Sequence, residues 1–125
     1  MANSGRIVHP NALPNYQEAM IKPDKLKKYS LDPTSEVGKH KARVFKSALG
    51  FDQSNWELLS LNILDKLPYH EAVLKEEDKH GKRYNVIMPI TGPNGMTADV
   101  LTGWIIEPGT DHPRLTTARV LRKKE

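Results

Sequence analysis

The sequence contains no cysteine among its 125 residues, which excludes a disulfide framework and any thiolate metal site. No apolar run approaches the roughly 20 residues that a helix needs to cross a bilayer. Residues 1–13 also lack the hydrophobic stretch of a signal peptide. The five histidines show no helical spacing typical of metal ligands. The sequence therefore predicts a domain without a membrane span, metal or other cofactor, which would need a carrier to leave its cell.

The motifs of two large enzyme classes are absent as well. There is no GxSxG nucleophile turn, no GxxxxGK[ST] phosphate loop and no dinucleotide fingerprint. The stretch Gly92-Pro93-Asn94-Gly95 has the composition of a turn rather than of a phosphate-binding loop. The pattern disfavours acyl-transfer and nucleotide-dependent enzymes.

The charge is unevenly distributed along the chain, which has a net charge of +4. Residues 22–46 contain eight basic and three acidic side chains, residues 57–79 are more acidic, and the C-terminus is basic again. If the two basic regions share one face, that face suits a polyanion such as RNA or an acidic protein. A solvated surface without any partner would explain so small a net charge equally well.

The N-terminal half has the periodicity of helices. Apolar residues recur at helical spacing over residues 39–49, and Gly50 is suited to end that helix. Ser54 and Glu57 have the spacing of a capping box, so a second helix should begin there and end at Pro68. Before these helices we expect a flexible tail, a short strand and a short helix, over residues 1–15, 16–21 and 25–29.

After Pro68 the pattern changes to the alternation that is typical of strands. We predict strands over residues 70–77, 84–90, 97–106 and 114–121, with glycine-containing turns between them. Helices followed by an antiparallel meander are the α+β pattern. The sequence thus predicts a single α+β domain over residues 16–122, with N-terminal helices packed on a roughly four-stranded antiparallel sheet.

Lys41 is the residue most informative about function. On the predicted helix it lies on the apolar side, together with Phe45 and Ala48. The other basic residues of this helix lie on the opposite side: Lys39, Arg43 and Lys46. Lys41 therefore either extends past the helix end into solvent or points into a cleft against the sheet. In a cleft, its charge would stabilise a bound phosphate or the transition state of phosphoryl transfer.

Other side chains near the predicted cleft are further candidates. His40 could act as a general acid or base near neutral pH, or could simply be exposed. Thr102 and Trp104 share one face of the third strand, where the tryptophan could stack on a base or belong to the core. Thr117 and Arg119 in the last strand could bind phosphate, although threonine is common in strands without any function.

Several stretches together resemble a small bacterial protein family. They run in order from Leu13 to Val120 and include Leu13-Pro-Asn-Tyr16, Gly38-x-x-Lys41-Ala42-x-x-Phe45-x-x-x-Leu49-Gly50, Thr91-Gly-Pro-Asn-Gly95, Thr102-x-Trp104 and Leu115-Thr116-Thr117. Members of that family look like modules that stand alone or form the C-terminal tip of secreted polymorphic toxins, including contact-dependent inhibition effectors. The layout is similar to that of the barnase, EndoU, colicin and RelE group of metal-independent ribonucleases.

The resemblance implies an RNA-cleaving toxin that acts in the bacterial cytoplasm on tRNA or another RNA. Delivery as the tip of a larger secreted effector is implied as well. The implied partners, besides RNA, are an immunity protein or antitoxin and a host translation factor. Two alternatives stay open: a non-catalytic module that binds RNA or an acidic protein through the basic helix, and a structural domain of a phage or secreted protein.

The resemblance also suggests roles for individual residues. His40 would be the acid or base and Lys41 the electrostatic stabiliser, with Thr102 and Thr117 as phosphate ligands. Tyr84 or Trp104 would stack on a base. The RNA backbone would be held by Lys39, Arg43, Lys46 and Arg119. Family members often have His-Pro where this chain has Ser35-Glu36, so His40 would have to replace that histidine if it is catalytic.

Overall fold

The computed structural model describes residues 6–121, in which the helical elements precede the strands. The two longer helices are α1 (Lys39–Leu49) and α2 (Trp56–Lys66). Four short helical segments accompany them, at Tyr16–Glu18, Lys25–Ser30, Gln53–Asn55 and Leu67–Tyr69. The strands are β1 (Ala72–Asp78), β2 (Gly81–Thr91), β3 (Thr97–Ile106) and β4 (Arg114–Val120).

The four strands form one antiparallel sheet in the order β1-β2-β3-β4, so each strand pairs with the next one in the chain. The prediction of an α+β fold with a four-stranded antiparallel sheet is confirmed. The expected bounds of α1 and β3 agree with the structure, whereas β1 begins at Ala72 rather than at residue 70.

The hydrophobic core lies between one face of the sheet and the helices. Helix α1 packs against β3 and β4, and α2 packs against β2. Apolar side chains of the two helices meet those of the strands there: Phe45, Leu49, Leu59 and Ile63 with Val86, Met88, Val100 and Ala118. Burying each of the Phe, Leu, Ile, Val and Met side chains among them stabilises the fold by about 1.5–3 kcal/mol.

The opposite face of the sheet is partly accessible to solvent, although Gly103 on it is buried. Residues that are in register across β2, β3 and β4 form two rows on it, Asn85–Gly103–Thr117 and Ile87–Leu101–Arg119. Ile87 exposes 47% of its surface and Arg119 is exposed as well. These two rows define the surface that we call the open face.

The structure corrects the expected tail and the expected first strand. Residues 6–15 belong to the domain, because Leu13 is fully buried and the Ala72 N–H donates to the Asn11 carbonyl at 2.8 Å. Residues 16–21 form a helical turn and a single parallel bridge between Met20 and Arg114, not a strand. The rest of the expected tail, residues 1–5, and the expected domain end, Arg122, lie outside the described residues.

The cap before α2 is also different from the prediction. The Asp52 carboxylate accepts a hydrogen bond from the Ser54 N–H at 2.9 Å, and the Asn55 amide oxygen accepts one from the Asp52 N–H at 2.8 Å. This pair forms a reciprocal capping box around Gln53–Asn55. Asp52 is therefore the N-cap of this short segment. Helix α2 begins at Trp56, and its N-cap residue is Asn55, not Ser54.

Candidate functional site

The start of α1 is fixed by contacts that only small residues allow. The Ser35 hydroxyl accepts a hydrogen bond from the Gly38 N–H at 3.0 Å, and the Lys39 N–H donates to the Ser35 carbonyl at 3.0 Å. A Cβ atom on Gly38 would lie 1.7 Å from the Tyr29 carbonyl oxygen, which is sterically impossible. Glycine therefore lets the first turn of α1 press against the segment Lys25–Ser30.

This packing places Lys41 against β4, the edge strand of the sheet. The side chain is partly buried, and its Nζ donates a hydrogen bond to Thr117 Oγ1 at 2.8 Å. Burial lowers the pKa of the Lys41 ammonium, and the positive charge of Arg119 lowers it further. Among residues 6–121, no carboxylate oxygen lies within 4.0 Å of the Lys41 or Arg119 side-chain nitrogens.

Lys41 lies between two grooves at the edge of β4. The first has a volume of about 330 Å³ and is lined, besides Lys41, by Lys25, Tyr29, Ser30, Val37, Thr116 and Thr117. The second has a volume of about 360 Å³ and is lined by His40, Val44, Arg119, Val120 and Leu121. Lys41 thus shares one groove with Thr116 and Thr117 and the other with His40 and Arg119. We call Lys41, Thr117, Arg119 and His40 the edge site.

A β-bulge in β4 directs the threonines toward this region. The pairing with β3 shifts register between Gly103 and Trp104, so that Trp104 faces Leu115 while Gly103 faces Thr117. Thr116 is the extra residue, and its hydroxyl lies 3.1 Å from where a Gly103 Cβ would be. A bulge of this kind bends the strand and redirects its side chains. It separates the core residue Leu115 from the partly exposed Thr117.

Two of the residues expected at the site lie in the core instead. Thr102 is fully buried and Trp104 is 1% exposed. The Thr102 hydroxyl donates to the Val86 carbonyl at 2.9 Å and accepts from the Trp104 indole N–H at 2.8 Å. These bonds satisfy both side chains internally, so neither can reach a phosphate or stack on a base. The prediction that Thr102 and Trp104 line the cleft is therefore wrong.

The other predicted base-stacking residue, Tyr84, lines neither of the two grooves beside Lys41. It lines a different groove, of about 450 Å³, which also contains Glu77 and Asp78. The structure therefore does not bring Tyr84 together with the edge site.

The outer basic residues of α1 form a separate surface. Lys39, Arg43 and Lys46 are exposed and line a groove of about 700 Å³ on the side facing away from the edge site. Lys46 Nζ lies 2.7 Å from Asp52 Oδ2. This hydrogen bond has the largest effect on the pKa of Asp52 and, together with the hydrogen bonds from Ser54, lowers it to about 2. Lys46 is thereby partly neutralised, whereas Lys39 and Arg43 remain available to an anion.

Sequence reasoning missed Ser30 and Thr116 as neighbours of Lys41. The Ser30 hydroxyl is buried and donates to the Ala118 carbonyl at 2.9 Å, which caps the free edge of β4. A buried polar residue beside a helix end and a pair of adjacent threonines are the signals that the sequence offered for them. In the described residues there is no cluster of three or more potential metal ligands, and no helix long and apolar enough to cross a membrane.

The comparisons with known proteins identify the family. The chain matches the model of a domain of unknown function, DUF6883, over residues 12–122. Because the match covers most of the chain, the chain belongs to this family. No curated protein and no solved structure matches it. The matched region begins just before Leu13, which agrees with the place of that residue in the core.

Proposed function

We propose that this DUF6883 domain is a metal-independent ribonuclease whose scissile phosphate binds at the edge site. The observation that carries the proposal is the partly buried Lys41 ammonium, which is held by Thr117 and adjoins Arg119 without a carboxylate within 4.0 Å among the described residues. Two adjacent cations without a counter-charge attract the phosphodiester monoanion and, more strongly, the dianionic phosphorane formed from it, and partial burial strengthens that attraction.

The proposed reaction is cleavage by the neighbouring ribose 2′-hydroxyl. A base removes the proton of this hydroxyl, and the resulting oxyanion attacks phosphorus while the 5′-oxygen leaves with a proton from an acid. The products are a 2′,3′-cyclic phosphate and a 5′-hydroxyl. His40 lines the same groove as Lys41 and Arg119, so it is the candidate for the acid or the base. Lys41 and Arg119 stabilise the negative charge of the phosphorane.

The biological setting is proposed from the sequence resemblance alone. It is a toxin that acts on tRNA or another RNA in the bacterial cytoplasm. The proposed partners are an immunity protein or antitoxin and a host translation factor. A basic domain of this kind would bind an acidic inhibitor at the edge site or on the outer face of α1.

The outer groove of α1 favours a second candidate function, a module that binds RNA or an acidic protein without cleaving RNA. Lys39 and Arg43 are exposed beside a groove of about 700 Å³, and neither depends on Lys41. Backbone contacts of this kind are sufficient for salt-sensitive, non-specific binding. The two candidates differ in one observable, because only the first produces new RNA ends.

The test is incubation of the purified protein with total cellular RNA, followed by sequencing of the cleaved ends. We expect discrete ends with a cyclic phosphate from the wild-type protein and none from a Lys41→Ala variant that keeps its circular dichroism spectrum. Lys79→Ala is the control, because it removes an exposed lysine charge that lines neither the grooves beside Lys41 nor the outer groove of α1. Wild-type activity in a folded Lys41→Ala variant would refute the assignment of Lys41.

Expression of the domain in bacteria tests the proposed toxicity. Growth should stop, and a neighbouring gene product should restore it. RNA binding without cleavage, and without an effect on growth, would favour the binding module.

A further inference from the structure

A second groove with titratable side chains lies at the β1–β2 end of the sheet, away from the edge site. Its volume is about 390 Å³, and its polar lining comprises His9, Tyr69, His70, Glu71, Lys75 and Asn85. We call it the histidine groove. A concave site with two imidazoles, a phenol, an ammonium and an amide, beside one carboxylate, offers several hydrogen-bond donors to one ligand.

His9 is fixed by two hydrogen bonds to the backbone. Its backbone N–H donates to the Pro68 carbonyl at 2.9 Å, and its ring Nδ1 accepts from the Asn11 backbone N–H at 2.9 Å. Because Nδ1 is the acceptor, the neutral ring must carry its proton on Nε2. The ring therefore presents an N–H donor on the atom that the backbone does not use.

His70 lies in a positive electrostatic field. Burial lowers the pKa of His70, and nearby charges act on it as well: Lys66, His9 and Arg6 lower it, whereas Asp99 raises it. Glu71 and Lys75 are the other charged groups that line the groove. A bound anion would oppose this positive field and favour the protonated ring, which would then donate a hydrogen bond to the anion.

The histidine groove is continuous with the open face of the sheet. Asn85 lines the groove and belongs to the row Asn85–Gly103–Thr117, at whose far end Thr117 holds Lys41. Asn85 Oδ1 and Thr117 Cγ2 lie 3.7 and 2.9 Å from the point where a Gly103 Cβ would be. Gly103 itself is buried, because the side chains of Asn85, Thr116 and Thr117 lie over it. Neighbouring strands are only about 4.8 Å apart. An extended polymer can therefore contact both ends of this row.

We propose that His9 and His70 form a second phosphate-binding subsite, which holds another phosphate of the single-stranded RNA whose scissile bond lies at the edge site. This inference rests on the proposed function for the identity of the polymer. The groove itself supplies the donors for a phosphate: His9 Nε2–H, the protonated His70 ring and the Lys75 ammonium.

Histidine NMR signals test the subsite directly. The purified domain is titrated with inorganic phosphate and, separately, with a 2′-O-methyl RNA oligonucleotide, which lacks the nucleophile for cleavage. We expect the ring signals of His9 and His70 to shift with both ligands. The signals of His80 and His112, which are exposed in the turns after β1 and before β4, are the internal control and should stay in place.

Matched variants test the contribution to RNA binding. His9→Asn keeps an acceptor for the Asn11 N–H, and His70→Gln keeps a terminal amide near the position of Nε2. The double variant should bind the oligonucleotide about tenfold more weakly, the loss expected for one charge-assisted hydrogen bond. His80→Asn should bind like the wild type.

The outcomes separate this inference from the proposed function. If wild-type protein cleaves RNA but the His9 and His70 signals do not shift, the second subsite is refuted and the ribonuclease stands. If the signals shift with both ligands but no RNA is cleaved, the phosphate subsite stands and the ribonuclease is refuted. Shifts with inorganic phosphate but not with the oligonucleotide would refute a subsite for an RNA strand.

Discussion

Replacement of Lys41 by methionine separates the role of its charge from the role of its packing. Methionine keeps the aliphatic stem of the side chain but removes the ammonium. The lost hydrogen bond to Thr117 contributes about 1 kcal/mol at a partly exposed position. Burial of the charged ammonium, which lowers the pKa of Lys41, costs stability. Methionine removes this cost, which offsets the loss of the hydrogen bond. We therefore expect Lys41→Met to change the free energy of unfolding by less than about 1 kcal/mol at pH 7.

The effect on the cleavage rate should be much larger. A preorganised group that stabilises the transition-state charge contributes about 2.7–4 kcal/mol, or roughly 100- to 1000-fold in kcat. The assays are single-turnover cleavage of a labelled RNA and urea unfolding followed by circular dichroism. Lys79→Met is the control, since Lys79 is exposed and lines neither the grooves beside Lys41 nor the outer groove of α1. It should leave both quantities near their wild-type values.

The pH dependence of stability provides an independent check on Lys41. Its pKa in the folded protein is below the usual value of 10.5, so the unfolded chain binds the proton more tightly. The Lys41 contribution to stability therefore rises as pH increases through the window between the folded pKa and 10.5. The difference in unfolding free energy between wild type and Lys41→Met should follow this rise. A Lys41→Met variant that cleaves RNA at the wild-type rate, or that loses more than about 3 kcal/mol of stability, would refute the reasoning.

Three further predictions concern the fold around the edge site. Gly38→Ala should destabilise the protein by more than about 3 kcal/mol, since the new Cβ would meet the Tyr29 carbonyl oxygen at 1.7 Å; urea unfolding measures it. Thr102→Val removes the acceptor of the Trp104 indole N–H and should cost about 1–3 kcal/mol, while the cleavage rate of the folded fraction stays unchanged. Asp52 has a pKa of about 2, below its usual 3.8, so its contribution to stability is lost as pH falls through this window. Solvent screening limits that contribution to about 1 kcal/mol, and acid titration of Asp52→Asn should lack it.

The elements with strong periodicity could be predicted from the sequence. The bounds of α1 and β3 agree with the structure, because each has a long, regular apolar pattern. The N-terminal segment could not be predicted, because Leu13 lies in the short stretch Asn11-Ala12-Leu13-Pro14, which has no periodic apolar pattern. Its burial depends on docking against distant parts of the chain, and no local pattern encodes that.

In the candidate site too, features set by the local sequence pattern could be predicted, whereas features set by contacts between distant residues could not. Helical periodicity placed Lys41 on the apolar side of α1, and the structure places its ammonium against the sheet. Strict alternation would put Leu115 and Thr117 on the same face of β4. The bulge at Thr116 separates them, and a bulge of one residue leaves no recognisable trace in a short strand. Alternation also grouped Thr102 with Trp104 but could not show that they bond to each other in the core.

Because Lys41 lies at a sheet edge, it could have the purely structural role of protecting that edge, but its surroundings argue against this role. Charged lysines commonly protect edge strands from pairing with other chains, and β4 is such a strand. Protection would be best served by an exposed lysine, whose pKa is not lowered by burial. Here the free edge is already capped by Ser30, which bonds the Ala118 carbonyl, and by the bridge from Met20. Lys41 is partly buried beside the positive charge of Arg119, an arrangement that costs stability. Such unfavourable local arrangements are expected where a binding or catalytic site requires them. If Lys41→Met keeps its stability but no longer cleaves RNA, Lys41 therefore serves function and not edge protection.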